Sequence, residues 1–267
     1  MKPAVQRPET LVVDRDDRGV VRLTLNRPEI RNAFDGTLIN DLTATLEGLA
    51  TDEGIRALVL TGAGATFSAG AELTWMRSSA EQGDHENFQD ALRLAELMKR
   101  LDDMPMPTIA RVNGAAMGGG VGLTACCDIA IAAETAMFGL TEVRLGIIPG
   151  AISPYVLRAI GPHEARRYFL TGERFDAATA RRIGLIHEVA PADGLDAVVD
   201  GLLDGLLAAG PQAVRAAKDL IAHVALKEID DLLIRDTAQR IARQRAGAEA
   251  REGLGAFLEK RKPGWIA

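Results

Sequence analysis

The sequence predicts an α/β fold with largely parallel strands, followed by a mainly helical C-terminal region. Short β-rich runs alternate with segments whose apolar residues recur at helical spacing, a pattern typical of strand–helix–strand units. Beyond Ala151 this alternation gives way to helical segments, interrupted by a short apolar run at His187–Val189. We therefore predict a core over residues 1–200 and a C-terminal helical region over residues 201–267.

The first half of the chain alternates strands with helices. Strands are predicted at β-branched and aliphatic runs that end near proline or glycine, because proline cannot donate to a strand ladder. Helices are predicted where apolar residues return every three or four positions. The predicted elements are strands at Thr10–Asp14 and Val20–Leu25, a helix with Leu38, Leu42, Leu46 and Leu49 on one face, a strand at Arg56–Thr61, a helix with Phe88, Leu92, Ala95, Met98 and Leu101 on one face, and a strand at Thr108–Val112.

The second half carries mainly helix signals. Gly161-Pro162 opens one predicted helix, since proline is favoured in the first helical turn, and Asp176 caps another. Gly210-Pro211 precedes a longer helix with Val214, Ala217, Ile221 and Val224 on one side.

Composition excludes several classes of function. The 267-residue chain is 47% apolar and 25% charged with a net charge of −6, and it has no block of Lys and Arg, so nucleic-acid binding is not expected. No apolar run approaches the roughly 18 residues of a membrane span. The only cysteines, Cys126 and Cys127, are adjacent and have no zinc-type spacing. We expect both to be buried thiols in a reducing compartment, hence a cytoplasmic protein without a metal.

A glycine run, Gly118-Gly119-Gly120, follows the predicted strand Thr108–Val112 and opens an apolar helical segment. Each glycine costs a helix about 0.5–1 kcal/mol relative to alanine. Three in a row therefore indicate that the backbone must approach another group closely. The first turn of a helix also has unpaired N–H groups at the positive end of the dipole, which suits an anion or oxyanion.

Glu142 is the carboxylate with the most apolar sequence surroundings, between Phe138-Gly139-Leu140 and Gly146-Ile147-Ile148-Pro149-Gly150. Burial among apolar residues raises a carboxyl pKa and suits the group to proton transfer. The alternative is a partly exposed glutamate paired with Arg144 or another base.

Four segments of the chain together resemble the enoyl-CoA hydratase/isomerase, or crotonase, superfamily. They occur in the family's order and span most of the sequence. They are its N-terminal signature at Asn26–Ala33, its first oxyanion loop at Phe67–Leu73, its second loop and helix at Asn113–Asp128, and its catalytic glutamate segment at Phe138–Gly150.

The resemblance implies a crotonase fold, a spiral of repeated ββα units with a helical C-terminal trimerisation region, that acts on acyl-coenzyme A thioesters. It implies a homotrimer or a dimer of trimers and no cofactor beyond the coenzyme A of the substrate. It assigns catalytic roles to the amides of Ala69 and Gly119, which would hold a thioester enolate, and to Glu142, which would transfer the proton. It places Arg27 and Arg31 at the coenzyme phosphates, and Phe257 and Lys260 at the coenzyme of a neighbouring subunit.

Position 122 departs from the family pattern. Typical hydratases of the family have a second glutamate there, whereas this chain has Gly122, and one carboxylate suffices for an isomerase. More detailed likenesses, among them Gly-Gly-Gly-Val-Gly-Leu and the segment Ala71–Arg77, resemble the bacterial methylglutaconyl-CoA hydratase subgroup. That likeness implies hydration of a short, branched 2-enoyl-CoA with a distal carboxylate, such as 3-methylglutaconyl-CoA. We expect Ala71 to contact substrate, Gly122 to leave room for the substrate carboxylate or a water, and Arg77 to pair with that carboxylate.

Other classes have weaker support. Gly120-Val121-Gly122-Leu123-Thr124-Ala125 fits a relaxed dinucleotide pattern, but no strand immediately precedes it. Ser68 and Ser153 lack the setting of a serine nucleophile. The alternatives that stay open are an enoyl-CoA isomerase with Glu142 as its single base and a non-catalytic acyl-CoA-binding protein.

Overall fold

The computed structural model describes residues 9–266, apart from the side chains of residues 79 and 80. The ends of the two predicted regions, residues 1–8 and 267, lie outside this range. The elements in chain order are β1 (Leu11–Arg15), β2 (Val20–Leu25), α1 (Gly36–Ala50), β3 (Ala57–Gly62), β4 (Thr66–Ser68), α2 (Leu73–Ala80), α3 (Asp84–Asp102), β5 (Thr108–Val112), β6 (Ala115–Met117), α4 (Gly119–Cys126), β7 (Ile129–Ala133), β8 (Met137–Gly139), α5 (Ser153–Thr171), β9 (Arg174–Asp176), α6 (Ala177–Arg182), β10 (Glu188–Ala190), α7 (Leu195–Ala208), α8 (Pro211–Val224), α9 (Asp231–Ala246) and α10 (Ala248–Leu258). Single 3₁₀ turns occur at Pro28–Ile30 and Glu142–Leu145.

The strands form two sheets that the chain visits in turn. The larger sheet has the order β1-β2-β3-β5-β7-β10 and the smaller one β4-β6-β8-β9. Strands β3, β5 and β7 belong to the larger sheet, and the strand that follows each of them, β4, β6 or β8, belongs to the smaller sheet. A helical segment follows each of these pairs. Pairing is parallel except for β1 with β2 and β8 with β9. The predicted α/β fold with largely parallel strands is confirmed.

The local predictions miss the strands β4, β6, β7, β8 and β9 and misplace the start of helix α5. Strand β6 was not predicted, because three residues of the sequence Ala115–Met117 are too few to show a period. Helix α5 begins at Ser153, not at Gly161-Pro162, which instead forms a kink where Gly161 has a φ of 70°. Proline at 162 can follow because the glycine breaks the regular ladder there.

The core lies on both faces of the larger sheet. Every residue of β3 is buried, as expected for a central parallel strand covered on both faces. Helix α7 packs Leu195, Val199 and Leu203 against the face that carries Val59 and Ile109. The predicted boundary between residues 200 and 201 therefore falls inside a helix that belongs to the core, and the end of α7 is the better division.

The last three helices are packed differently. Neither α8 nor α9 contains a fully buried residue, and α10 contains one, Ala256. Several of their large apolar side chains face outward, among them Ile221, Leu232 and Phe257. Over the described residues, no single helix has the length and hydropathy to cross a membrane. Only α7 and α8 together, bent by 104°, meet those two criteria.

Candidate active site

Three loops leave one edge of the smaller sheet side by side. Strands β4, β6 and β8 are parallel neighbours, so their carboxyl ends meet at a common edge, where open α/β sheets bind ligands. The loop after β4 carries Ala69–Ala71, the turn after β6 carries Gly118 and Gly119, and the chain after β8 carries Glu142. The topology thus brings together three segments that are far apart in sequence.

The first loop presents the amide of Ala71, not that of Ala69. The Ala69 N–H donates to the Arg31 carbonyl oxygen at 2.9 Å, so the predicted role of Ala69 as an oxyanion donor is wrong. Phe34 bridges the loop through the Gly70 carbonyl and the Glu72 amide, which leaves the intervening Ala71 N–H without an acceptor among the described residues.

The second loop presents the amide of Gly119 at the first residue of α4. Gly118 has a φ of 49° and a ψ of −113°, a conformation that glycine adopts readily, and its N–H donates to the Gly139 carbonyl oxygen at 2.9 Å. That bond ties the turn to β8 and leaves the Gly119 N–H, within the described part of the chain, without an acceptor at the helix N-terminus.

The two loops are in contact. A Cβ built on Gly70, which has a φ of 84°, would lie 2.9 Å from the Met117 carbonyl oxygen, so only glycine allows this approach. A Cβ on Gly119 would lie 3.1 Å from the ring of Phe34. Gly70 is therefore required by the close approach of the two loops. Gly119 packs tightly against Phe34, a close approach of the kind that the glycine run indicated.

Glu142 lies at the same edge with one carboxylate oxygen unpaired. Its Oε2 is buried and has no hydrogen-bond partner among the described residues. Its Oε1 lies 3.1 Å from where a Cβ of Gly118 would be. Burial raises the pKa of this carboxyl above its usual value. The alternative pairing with Arg144 is wrong, because the Arg144 side chain packs against Gly172 instead.

The backbone around Glu142 is held on both sides. Its carbonyl oxygen accepts from the amides of Gly146 and Ile147, and Gly146 has a φ of 77° that ends the 3₁₀ turn. On the other side β8 pairs with β6 and β9. The unpaired carboxylate is thus fixed in place by main-chain bonds that do not involve its side chain.

Gly122 does not open space in the site. A Cβ built there would lie 2.3 Å from Ile152 Cγ2, and Gly122 is absent from the cavity wall, whereas Ile152 is part of it. The expectation that Gly122 leaves room for a substrate carboxylate or a water is therefore wrong, since the isoleucine fills that room.

A cavity of about 660 Å³ connects these groups. Its wall is mainly apolar, and its ionisable side chains are Asp90 and Glu142. The lining residues are Phe34, 69–71, Leu73, Trp75, Met76, Asn87, Asp90, Ala91, Leu94, 117–119, Thr141, Glu142, Leu145 and 147–152. Asp90 forms an ion pair with Arg93 on the same helix.

The predicted basic and C-terminal residues lie elsewhere. None of Arg27, Arg31, Arg77, Phe257 and Lys260 lines the cavity. The Arg27 guanidinium is paired with Asp35 at 2.5 Å, whereas Arg31 and Arg77 are exposed. The prediction that Arg77 pairs with a carboxylate in the acyl site is not supported by its position.

The N-terminal signature has a structural role that the sequence analysis missed. Asn32 is fully buried, with a φ of 54°, and its side-chain amide donates to three carbonyl oxygens, of Ala63, Thr66 and Phe67. It thereby fixes β4 and the turn that precedes it. A buried asparagine in the left-handed region was a possible signal, but its partners are more than thirty residues away.

A metal site is not evident in this part of the molecule. No group of three or more His, Cys, Asp or Glu side chains within residues 9–266 is arranged to hold a metal ion. The two cysteines are free and buried, as predicted.

Comparison with known proteins identifies relatives along nearly the whole chain. The sequence model of the family described as enoyl-CoA hydratase/isomerase matches residues 15–267. An enoyl-CoA hydratase structure from Shewanella pealeana superposes with a TM-score of 0.93 at 45% identity, over 97% of each chain. Pseudomonas aeruginosa AtuE superposes with a TM-score of 0.93 at 39% identity, over 97% of this chain and 100% of that one. The 2,3-dehydroadipyl-CoA hydratase of Escherichia coli is 36% identical over 95% of this chain and 97% of its own length. The fold implied by the sequence motifs is confirmed.

Proposed function

This chain belongs to the enoyl-CoA hydratase/isomerase family, and from that premise we propose that it adds water across the double bond of a 2-enoyl-CoA. Glu142 transfers the proton, and the amides of Ala71 and Gly119 hold the thioester oxygen. The observation that carries the proposal is the buried Oε2 of Glu142, unpaired among the described residues, at the edge where both amides also lack acceptors.

The proposed reaction uses one carboxylate twice. The Glu142 carboxylate takes a proton from water as the water oxygen bonds to C3 of the acyl group. The π electrons of the C2–C3 bond move toward the thioester, whose oxygen becomes negative and is held by the two amides. Glu142 then returns the proton to C2. Atoms and charge balance without a metal or a redox cofactor.

Burial makes Glu142 suitable for both steps. A carboxylate whose pKa is raised above its usual value by burial is a stronger base than a free carboxylate, and its protonated form can return the proton. Preorganised amides stabilise charge that develops on the thioester, and loss of one such donor typically costs about 2.7–4 kcal/mol of barrier lowering.

We propose a short, branched acyl group, with 3-methylglutaconyl-CoA as the particular candidate. The motif likeness of the chain to that subgroup supports both the branch and the carboxylate, and the E. coli relative, a 2,3-dehydroadipyl-CoA hydratase, supports only the distal carboxylate. The wall contains no Lys or Arg in its described part. Asn87 is the lining side chain with an amide group; its Nδ2 donates to the Gln82 carbonyl oxygen at 3.1 Å and has a second N–H for a distal carboxylate. Asp90 is already paired with Arg93.

The carboxylate part of this proposal is tested with a matched substrate pair. 3-Methylcrotonyl-CoA has the same branch as 3-methylglutaconyl-CoA and lacks only the distal carboxylate. We expect a higher kcat/KM for the carboxylated substrate and loss of that advantage in Asn87→Leu. Equal values for both substrates would overturn carboxylate recognition and leave hydration untouched.

We further propose a homotrimer, or a dimer of trimers, in which α10 reaches a neighbouring subunit. Phe257 and Lys260 are exposed and do not line the cavity of their own chain, as the resemblance requires for residues that contact a neighbour's coenzyme. Because Arg27 is paired with Asp35, Arg31 is the better candidate for a coenzyme phosphate. The buried free thiols support a cytoplasmic location.

An isomerase is the second candidate, and one observation favours it. Ile152 occupies the place of a second carboxylate beside Gly122, and moving a double bond needs only one base, which takes a proton from C2 and returns it to C4. Conversion of a 3-enoyl-CoA to its 2-enoyl isomer, without a hydrated product, would select this reaction.

The deciding experiment is a spectrophotometric screen of 2-enoyl and 3-enoyl-CoA thioesters with wild type and Glu142→Gln. We expect wild type to hydrate 2-enoyl substrates and the variant to lose about 10²–10⁴-fold in kcat, the usual contribution of a general acid–base group. Tight binding of acyl-CoA without turnover by wild type would instead indicate a non-catalytic protein.

A further inference from the structure

Ile152, a residue of the cavity wall, packs directly against Gly122 behind it. A Cβ at position 122 would lie 2.3 Å from Ile152 Cγ2 and 2.9 Å from Ile152 Cβ. Carbon atoms pack best at about 3.5–4.0 Å, so an isoleucine at 152 and any side chain at 122 exclude each other. Ile152 is only 2% exposed and cannot move aside into solvent.

The position of this pair relative to the oxyanion amide follows from helix geometry. Residues 119 and 122 are three apart in α4, so they share a helix face and lie about 4.5 Å apart along the axis. The side chain that fills the space at 122 is therefore about one helical turn from the amide of Gly119. Ile152 lines the same cavity as Gly119 and Glu142.

We propose that Ile152 is a specificity-determining residue that replaces a second carboxylate with an apolar surface beside the reacting carbons. The inference rests on the proposed thioester reaction and names its substrate class, an enoyl group with an apolar branch at C3. An alkyl wall favours a methyl substituent over water at that position, because burying apolar surface is favourable and an unpaired water there would lack partners.

The proposal also explains how the proton is delivered. With no carboxylate at 122, Glu142 alone exchanges protons with the substrate, and water that reaches C3 is positioned by Glu142. The isoleucine is consequently expected to set the preference between branched and linear substrates without taking part in proton transfer.

The test is a cycle of Gly122→Glu, Ile152→Gly and the double variant. Glycine is needed at 152, since even the Ile152 Cβ lies within 2.9 Å of the new side chain. We expect Gly122→Glu alone to lower Tm by about 5 °C or more through overpacking. In the double variant we expect the decrease in Tm to be smaller than the sum of the decreases in the two single variants, which indicates direct coupling between the two residues.

Substrate preference is measured in parallel as the ratio of kcat/KM for 3-methylcrotonyl-CoA to that for crotonyl-CoA. Ile152→Gly is expected to lower this ratio by about 10-fold, in the range observed for loss of one apolar contact. Ile152→Val keeps the Cγ2 methyl that touches position 122 and should keep most of the ratio.

Two outcomes would overturn the inference. One is a Gly122→Glu variant with the Tm of wild type, which would remove the packing argument. The other is an unchanged ratio in Ile152→Gly while wild type turns over both substrates, which would refute the specificity role alone. If wild type converts no enoyl-CoA at all, the proposed function fails, and this inference fails with it.

Discussion

The edge of the smaller sheet and the C-terminal helices differ in the groups that they leave without a partner in the described part of the chain: polar groups at the sheet edge and apolar side chains on the helices. At the sheet edge the unpaired groups are polar, namely two amides and the Oε2 of Glu142, within the described residues and inside an apolar wall. On α8–α10 they are apolar, and Leu232 and Phe257 are 76% and 81% exposed. A buried unpaired polar group suits a small polar ligand, whereas an exposed apolar face suits another protein surface.

The two regions also differ in what holds them. The sheet edge is fixed by main-chain bonds and by Asn32, so its unpaired groups stay in position although each costs about 1–3 kcal/mol. The C-terminal helices contribute little to the core. The site is therefore preorganised within one chain, and the C-terminal region is the part that should depend on assembly.

Among the variants that separate the two regions, the largest effect is expected from removing one amide at the sheet edge. Ala71→Pro deletes an N–H that has no acceptor among the described residues, whereas its neighbours Gly70 and Glu72 keep the bonds to Phe34. We expect kcat to fall by about 10²–10³-fold, the usual cost of one oxyanion donor. Steady-state kinetics with a 2-enoyl-CoA measures the loss, and Tm should change little.

Ala69→Pro is the matched control two residues earlier. Its N–H is bonded to the Arg31 carbonyl oxygen, so this variant should lose stability first, by about 1–3 kcal/mol. The opposite result would assign the catalytic role to Ala69: Ala69→Pro would lose turnover at unchanged Tm, and Ala71→Pro would keep its turnover.

The oxyanion role was predicted for the amide of Ala69, whereas the amide of Ala71 is the one without an acceptor among the described residues. The glycine run and the apolar surroundings of Glu142 are local signals, and they located the second loop and the unpaired carboxylate correctly. Which amide of the first loop is free depends on the Arg31 carbonyl, which the left-handed backbone at Arg31 and Asn32 presents to that loop. No pattern within the loop reveals a partner from a separate segment.

The contact of Ile152 with Gly122 could not be predicted from the sequence for the same reason, since it joins two separate segments. Glycine at 122 indicates space, but whether that space is empty depends on Ile152, thirty positions further along and brought back by the start of α5. By contrast, strands such as Thr108–Val112 were predicted with their observed bounds, because a buried apolar run between breakers is decided locally.

An intermediate effect is expected from a charge on the apolar face of the C-terminal helices. If the proposed trimer forms, Phe257→Asp should shift the protein to smaller species and lower Tm by about 5 °C, because subunit association stabilises the folded chain. Light scattering after size exclusion gives the mass. Leu170→Asp, a change at a residue that is 76% exposed on α5, is the control and should leave the mass unchanged. If Phe257→Asp and Leu170→Asp reduced the mass of the assembly equally, the contrast between the two regions would be contradicted.

The smallest effect is a pH-dependent stability difference at Glu142, and its sign follows from burial. The folded-state pKa is raised above the unfolded one, so the group stabilises the fold below the unfolded pKa and that contribution is lost as pH rises through the folded pKa. Above both values the buried carboxylate opposes folding. Glu142→Gln should then have a Tm higher than wild type by about 2–4 °C, equivalent to roughly 1 kcal/mol in a chain of this size. The difference should vanish in acid, where both side chains are neutral. Tm measured for both proteins from acid to neutral pH tests the sign of this difference. A Glu142→Gln variant that is less stable than wild type at neutral pH would mean that the Glu142 carboxylate has a stabilising partner.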